Sequence, residues 1–174
     1  MLCSGVRIVG VSGSLQARSG NLALLESARA LAPSDVELVI YDGLRDLPQF
    51  NPDLEAQAPL PIIEAWRHEL ATSDALLIAS PEYGFSLPGA LKNAIDWVIG
   101  SGELERKIVA VTASVNHPER GRRGLSALRD TLSALSVTIV GGVPLVRGPT
   151  CDAQLRSLLD ELVRAVHAAR ATQE

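Results

Sequence analysis

The chain has 174 residues, of which 47% are hydrophobic and 21% charged, and this composition is ordinary for one packed domain covering residues 1–174. A net charge of −4 argues against general nucleic-acid binding, which needs a basic face to neutralise phosphates. Two cysteines form no disulfide framework or zinc site, and no apolar run approaches the roughly 20 residues of a membrane span. Because the N-terminus also lacks a signal-peptide pattern, we expect a cytoplasmic protein that binds neither nucleic acid nor membrane.

Short apolar runs alternate with helical patterns along the chain. The first run, VRIVGVS, is rich in β-branched residues and ends at Gly13, which is typical of a strand buried on both faces. The predicted strands are 6–12, 36–41, 75–79, 107–112 and 137–140.

The segments between these runs predict helices with apolar residues on one face. Asn21 is a suitable N-cap for the first helix, and Ser86 is the candidate cap of the helix that Gly100 ends. The predicted helices are 21–32, 61–72, 87–99, 124–135 and 153–169, and a long loop, 42–61, precedes the second of them.

This alternation predicts an α/β fold: a three-layer sandwich with a five-stranded parallel sheet and helices on both faces. Two common strand orders fit, the dinucleotide-binding order and the flavodoxin-like order 2-1-3-4-5, and five strands rather than six favour the second. In that order the first and third strands are neighbours. The loops that follow them therefore converge in a crevice at the carboxyl ends of the strands.

The loop after the first strand, GSLQARSGN (13–21), is crowded with small hydrogen-bonding residues and opens a helix. A helix N-terminus offers free N–H groups and the positive end of the dipole. The loop adds hydroxyl, amide and guanidinium groups from Ser14, Ser19, Asn21 and Arg18. This set suits a phosphate, whereas the alternative is a capped turn with solvated side chains. Neither a Walker A motif nor a G-x-G-x-x-G fingerprint is present.

The loop after the third strand, SPEYGFSLPG (80–89), combines stiffness with open space. Pro81 lacks an N–H and stiffens the turn, and Gly84 permits a positive φ and a close approach of a ligand to the backbone. Tyr83 supplies a flat face with a hydroxyl. These features suit the rim of a planar heterocycle; the alternative is a plain turn in which Tyr83 packs against the next helix.

The loop after the fourth strand, SVNHPERGRRG (114–124), is basic and is expected at the same end of the sheet. One interpretation is a solvated loop, and the other is that one of its arginines meets a phosphate of an incoming nucleotide. The sequence holds no evident Ser/His/Asp set, metal cluster or pair of catalytic carboxylates, and its three histidines are scattered.

These motifs resemble those of the NAD(P)H-dependent FMN reductase family, flavodoxin-like flavoenzymes that include quinone, azo-dye and chromate reductases. GSLQARSGN resembles the family's phosphate loop, G-S-x-R-x-x-S-x-N. PEYGFSLPGALKNAIDW resembles the motif P-E-Y-N-x-S-x-P-G-x-L-K-N-A-I-D, and DLPQFNPDLE (46–55) resembles the loop after strand two. The resemblance covers nearly the whole chain and keeps the order of the motifs.

The resemblance implies an FMN site with three parts. The residues that would hold the phosphate are Ser14, Ser19 and Asn21; those that would border the isoalloxazine are Pro81, Glu82 and Tyr83; and Ser114 lies where the third flavin-contacting loop begins. The hydride carrier is then the flavin, so no protein side chain is expected to be catalytic.

Two positions depart from the family pattern. The family's arginine in the first motif is Gln16 here, and Arg18 is the candidate that takes over its charge. The family's asparagine after Pro-Glu-Tyr is Gly84, which loses a side-chain contact. Both changes are expected to weaken flavin retention without abolishing binding.

The resemblance also implies an activity and an assembly. The expected enzyme passes hydride from NAD(P)H through FMN to a quinone, free flavin or similar small electrophile. It is expected to be a homodimer or homotetramer, with Asp96 and Trp97 as interface candidates, although Trp97 is equally suited to the core. The alternatives are a non-enzymatic flavodoxin-like carrier or interaction module and a reductase that uses flavin only as a loosely bound substrate.

Overall fold

The structure is a computed structural model that describes residues 5–57 and 60–172. Cys3 lies outside these residues, and Cys151 is a free thiol. In the described parts of the chain, no helix is both long enough and apolar enough to cross a membrane.

A five-stranded parallel sheet of order β2-β1-β3-β4-β5 forms the centre of the described structure, so the predicted fold class is confirmed. The strands are β1 (Val6–Ser12), β2 (Val36–Tyr41), β3 (Ala75–Ala79), β4 (Ile108–Val115) and β5 (Thr138–Val146). The first three have the predicted bounds, whereas β4 and β5 both run farther than predicted.

The extension of β4 and β5 has a local cause. Gly141 and Gly142 adopt positive φ values of 67° and 104°, and the β4–β5 register shifts between Val111 and Ala113. These glycines therefore form a bulge rather than ending the strand, and pairing resumes beyond it. The prediction that Ser114 begins a loop is wrong, because Ser114 lies inside β4 opposite Leu145.

The longer helices lie within two residues of their predicted ends. The helices are α1 (Gly20–Leu31), α2 (Pro52–Glu55), α3 (Pro61–Ala71), α4 (Gly89–Ile99), α5 (Arg122–Ser133) and α6 (Cys151–Ala171). The segment predicted as a long loop contains α2 and a 3₁₀ turn at Gly43–Asp46.

The helices cover both faces of the sheet and bury a core on each. On one face, α1 and α6 pack through residues such as Leu25 and Leu162 against Leu77. On the other, α3, α4 and α5 pack through residues such as Trp66 and Leu128 against the sheet. This three-layer arrangement leaves the carboxyl ends of the strands open, at the edge where the loops of interest begin.

Candidate functional site at the carboxyl ends of the strands

The loops after β1 and β3 run side by side at one rim of the sheet. Gly13 continues the β1–β3 ladder, because its N–H donates to the carbonyl oxygen of Ala79 at 2.9 Å. A Cβ on Gly13 would lie 2.9 Å from the Ser80 hydroxyl oxygen, so a larger residue would push the two loops apart. The predicted convergence of these loops is thus present in the fold.

The first loop folds around its own hydroxyl groups. The Ser14 Oγ accepts a hydrogen bond from the Gln16 N–H at 3.3 Å. Ser19 caps α1, since its Oγ accepts from the N–H of Asn21 at 3.2 Å. The prediction that Asn21 is the N-cap is therefore wrong, and its side chain has another partner.

The Asn21 side chain joins the first loop to β4. Its Oδ1 accepts a hydrogen bond from the Ser114 N–H at 2.8 Å, and Asn21 is only 5% exposed. Because this oxygen is used, the amide N–H₂ group is the part of Asn21 left to face a ligand. The hydrogen bond brings Ser114 against the start of α1, where the Ser114 Oγ would lie 3.1 Å from a Cβ on Gly20.

Gln16, at the family's arginine position, and Arg18, the candidate to replace its charge, have different surroundings. Gln16 and Arg18 are both exposed. Gln16 faces a small cavity that Ser14 and Arg45 also line. Arg18 lies over a separate groove beside Ser19 at the start of α1.

Arg147 is a residue near this site that the sequence reading did not identify. It follows β5 and lines the same groove as Arg18, Ser19 and Gly20. No sequence motif marks it. Only the strand order, which sets the end of β5 beside β4, brings it close to α1.

The loop after β3 contains a tight two-residue turn. Tyr83 and Ser86 exchange both backbone hydrogen bonds at 3.0 Å, and the residues between them, Gly84 and Phe85, have φ values of 57° and 64°. Two positive φ values at the central positions are those of a type I′ turn. The prediction that Ser86 caps the next helix is wrong because Ser86 belongs to this turn and the N-cap position is Pro88.

The turn presents aromatic rings to the outside. Tyr83 is 54% exposed, so it is not packed against the next helix, and Phe85 is 67% exposed. The guanidinium of Arg123 lies 4.4 Å from the centre of the Phe85 ring, a cation–π contact. Pro81 and Glu82 are half-buried at the base of the turn.

Glu82 joins the turn to α5 through a hydrogen bond. Its Oε2 accepts a hydrogen bond from the Gly124 N–H at 2.9 Å, in the first turn of that helix. A carboxylate at this place is also favoured by the positive end of the helix dipole. Gly124 is closely packed there, since a Cβ on it would lie 2.9 Å from the Cα of Glu82.

An open cavity of about 450 Å³ lies between the second and third loops. Its lining residues include Glu82, Ser114, Asn116 and Arg120. The other arginines of the third loop are engaged elsewhere: Arg123 stacks on Phe85, and Arg122 lies 3.5 Å from Glu119. The structure thus brings Glu82 and Ser114 together and leaves Arg120 at the cavity.

The described residues do not meet the requirements of a metal site. Across residues 5–57 and 60–172, no group of three or more His, Cys, Asp or Glu residues could hold a metal ion.

Tyr41, at the end of β2, has a raised pKa. Burial, with smaller contributions from the Asp42, Glu69 and Asp46 carboxylates, raises the pKa of Tyr41 to about 12. Tyr41 therefore stays neutral at physiological pH.

Trp97 belongs to the core rather than to the surface. It is 1% exposed, its Nε1 donates to the carbonyl oxygen of Pro48 at 2.8 Å, and Phe50 contacts it edge-on. As an interface candidate Trp97 is wrong, and the alternative assignment to the core is confirmed. Asp96 pairs with Lys92 on the same helix at 2.6 Å.

Comparison with known proteins identifies a family with this fold. The family model for NADPH-dependent FMN reductase matches residues 6–150. An NAD(P)H-dependent FMN reductase of Pseudomonas aeruginosa is 36% identical over 136 residues, which cover 76% of this chain and 72% of that protein. A quinone reductase of Pseudomonas putida is 45% identical over 86 residues, about half of each chain.

A solved structure agrees with these sequence matches. The flavoenzyme NAD(P)H:(acceptor) oxidoreductase FerB of Paracoccus denitrificans superposes with a TM-score of 0.82 at 25% identity, covering 94% of this chain and 98% of that one. The family model alone spans most of the described chain, including all three loops at the rim. The chain belongs to the NADPH-dependent FMN reductase family, whose members are flavin enzymes with FMN as cofactor and NAD(P)H as reductant.

Proposed function

We propose that the protein is an FMN-dependent NAD(P)H oxidoreductase that passes hydride to a quinone, free flavin or similar small electrophile. The observation that supports this proposal most is the meeting of three strand-end loops at one rim. Phosphate-suited donors lie in the first loop, an open cavity lies between the second and third loops, and the exposed Tyr83 follows Glu82 of the cavity lining.

The donor set at the start of α1 fits the phosphate of FMN. The hydroxyls of Ser14 and Ser19 and the amide of Asn21 lie within one short loop that leads into a helix N-terminus. Hydroxyl and amide donors together with the positive end of the dipole favour an anion there. Our proposal assigns these three residues to the phosphate, with Gln16 and Arg18 at the edge of the same site.

The second loop fits the edge of a planar ring. Pro81 and the hydrogen-bonded turn make the backbone stiff, and Gly84 has open space around its Cβ position. Our proposal places Pro81, Glu82, Tyr83 and Gly84 along the isoalloxazine and Ser114 at its far side. Because Glu82 is held by the Gly124 N–H, its task is to position the loop rather than to transfer a proton.

Bound FMN would supply the hydride acceptor and donor of the reaction. The chain's own residues bind, orient and shield the reactants. Backbone N–H groups of the rim loops can stabilise negative charge that develops on a reduced ring. Arg120 makes no ion pair within the described residues and lines the cavity, so it is the arginine best placed to meet a nucleotide phosphate.

Flavin binding and turnover test this proposal directly. Purified protein is titrated with FMN while the flavin's visible absorbance and fluorescence are followed, and NADPH or NADH oxidation is then measured with added quinone or free FMN. Binding with turnover supports the proposal. Binding without turnover indicates a carrier, turnover only with excess flavin indicates flavin as a substrate, and the absence of both contradicts either enzyme.

A double variant tests the phosphate assignment. Ser19→Ala with Asn21→Ala should weaken FMN binding strongly because it removes two polar groups at the start of α1. Gln154→Ala with Ser157→Ala is the matched control, since both residues are exposed on α6. Equal FMN affinity in the two double variants would contradict the assignment.

We also propose that the protein is a homodimer or homotetramer. Exposed aromatic residues beside the cavity, Tyr83 and Phe85, support an assembly in which a second copy covers this edge. Light scattering of the purified protein measures the mass of the assembly directly. A monomer at micromolar concentration would contradict the proposed dimer or tetramer.

The cytoplasmic location stays a prediction.

A further inference from the structure

Arg147 is held by its backbone at the edge of the proposed phosphate site. The residue follows β5, and its N–H donates to the carbonyl oxygen of Val115 at 2.9 Å, which continues the β4–β5 ladder past the end of the strand. From there its side chain crosses to α1. The guanidinium Nη1 lies 3.7 Å from the position that a Cβ on Gly20 would take.

The guanidinium of Arg147 is available to bind a ligand. It makes no hydrogen bond or ion pair with any residue in 5–57 or 60–172, although it lies against a helix start rather than pointing away from the protein. The groove that it lines with Arg18 has a volume of about 470 Å³ and contains one acidic residue, Glu26. Glu26 is already paired with Arg29 at 2.6 Å, so the groove is electropositive.

The first loop has the neutral Gln16 at the position where the family's motif carries an arginine. Gln16 is neutral and lines the cavity on the Ser14 side of this loop, whereas the groove lies on the Ser19 side of the same loop. If the phosphate is to meet a guanidinium, that charge must therefore come from a residue other than Gln16. Arg18 and Arg147 are the two arginines in the groove, and Arg147 is the one anchored by the sheet.

We infer that Arg147 is a phosphate-binding residue of the FMN site and replaces the charge that is absent at Gln16. The inference rests on the proposed FMN function and adds a residue from the opposite end of the chain to the site. Because the pairing of its N–H with Val115 fixes the backbone of Arg147, binding orders only the side chain. A charged hydrogen bond to phosphate is also stronger than a neutral one. Arg147 would thus position the phosphate without taking part in the chemistry.

Comparing FMN with riboflavin tests the inference, because riboflavin has the same ring and no phosphate. Binding of each flavin is measured by fluorescence quenching for the wild type, Arg147→Gln and Arg164→Gln. Arg164 is an exposed residue far along α6 and makes no ion pair within the described residues, so it is the matched control. We expect Arg147→Gln to weaken FMN binding about tenfold, the size of one charged hydrogen bond, and to leave riboflavin binding unchanged.

The outcomes separate this inference from the proposed function. If the wild type binds neither flavin, the proposed function fails. If the wild type binds FMN and Arg147→Gln binds it equally well, or if FMN and riboflavin weaken together, only the role of Arg147 is overturned. Circular dichroism of each variant confirms that it has folded.

A rescue experiment gives a second readout. Introducing Gln16→Arg restores the family's arginine, and in the Arg147→Gln background it should recover most of the lost FMN affinity. Wild-type FMN binding should also weaken more steeply with added salt than binding by Arg147→Gln, because one fewer charge contacts the phosphate. Simple additivity of the two substitutions, or identical salt dependence, would contradict a shared role.

Discussion

Phe85 has a backbone conformation that does not suit its residue type. Its φ of 64° lies in the left-handed region, which costs a residue with a Cβ about 1–2 kcal/mol. The ring is 67% exposed, so burial does not offset this cost, and the contact with Arg123 offsets only about 0.5–1 kcal/mol. Strain of this kind is found most often at functional sites, and here it lies at the tip of the loop that borders the cavity.

Replacing Phe85 should release this strain. Asparagine tolerates the left-handed region, so Phe85→Asn is expected to stabilise the protein by about 1 kcal/mol when it is made in an Arg123→Ala background, where the cation–π contact is already absent. Urea unfolding of the four members of this cycle measures the effect. A loss of stability in the Arg123→Ala background would show that the positive φ carries no strain.

Tyr41 gives a pH dependence with a definite sign. Its hydroxyl is buried without a hydrogen-bond partner in the described structure, and burial together with nearby carboxylates raises its pKa from 10.0 to about 12. Between these values the unfolded chain releases the phenol proton while the folded protein keeps it. The stabilising contribution is therefore complete below pH 10 and is lost as the pH rises towards 12.

The Tyr41→Phe variant isolates this contribution. It keeps the ring contact with Trp66 and removes the unpaired hydroxyl, so we expect it to be at least as stable as the wild type at neutral pH. Above pH 10 its free energy of unfolding should fall less steeply than that of the wild type. Parallel slopes for the two proteins would mean that the folded-state pKa of Tyr41 is not raised. Lys107, whose pKa is lowered by burial, contributes a slope of opposite sign to both proteins and so cancels in the comparison.

At the scale of secondary-structure elements, the sequence predicts whether a segment is a helix or a strand better than it predicts where that element ends. The apolar period, together with stop signals such as Gly100, places the longer helices within two residues of their observed bounds, although both predicted N-caps are wrong. The ends of β4 and β5 could not be predicted. Two consecutive glycines, Gly141 and Gly142, are typical of the end of a strand. In the structure they form a bulge, and the conformation of this bulge depends on pairing with Val111 of β4. The role of Asn21 could not be predicted either, because its hydrogen-bond partner, the Ser114 N–H, is distant in sequence.

Gly124 tests how tightly α5 is joined to the loop after β3. Alanine usually stabilises a helix interior over glycine by about 1 kcal/mol, but a Cβ here would lie 2.9 Å from the Cα of Glu82. We expect Gly124→Ala to destabilise the protein by about 1–3 kcal/mol, as overpacking does, and to weaken FMN binding because the Glu82 loop is displaced.

Gly89 provides the matched comparison for this substitution. It begins α4 and has no atom within 4 Å of its Cβ position, so Gly89→Ala is expected to be neutral or slightly stabilising. Thermal unfolding of both variants and FMN titration measure the difference. If Gly124→Ala is as stable as Gly89→Ala and binds FMN normally, the contact between α5 and the loop does not set the geometry of the site.

At the scale of the whole molecule, strand order determines which parts of the site are readable from sequence. Order 2-1-3-4-5 predicted that the loops after β1 and β3 would meet, and the contact between Gly13 and Ser80 agrees with it. Arg147 could not be predicted, because its approach to Gly20 depends on the length of β5 beyond the bulge. Site residues within a local motif can thus be predicted from the sequence. Site residues that only the arrangement of the strands brings to the site cannot.

The same site makes the stability of the whole molecule depend on flavin. A ligand that binds only the folded state at about 100 times its Kd adds about 2.7 kcal/mol of stability. For a chain of 174 residues, each kcal/mol raises the Tm by about 2–4 °C, so saturating FMN is expected to raise it by about 5–10 °C. Riboflavin should give a smaller shift because it lacks the phosphate, and adenosine monophosphate should give little because its ring does not match the second loop.

Variants of the phosphate loop separate ligand linkage from intrinsic stability. Ser19→Ala with Asn21→Ala removes the N-cap of α1 and the bond to Ser114, so its Tm without ligand falls. The shift on adding FMN, measured from that lower baseline, should also shrink, because the donors that hold the phosphate are gone. Differential scanning calorimetry at several FMN concentrations gives both quantities. An undiminished shift in this variant would mean that FMN stabilises the protein from a place other than the rim formed by these loops.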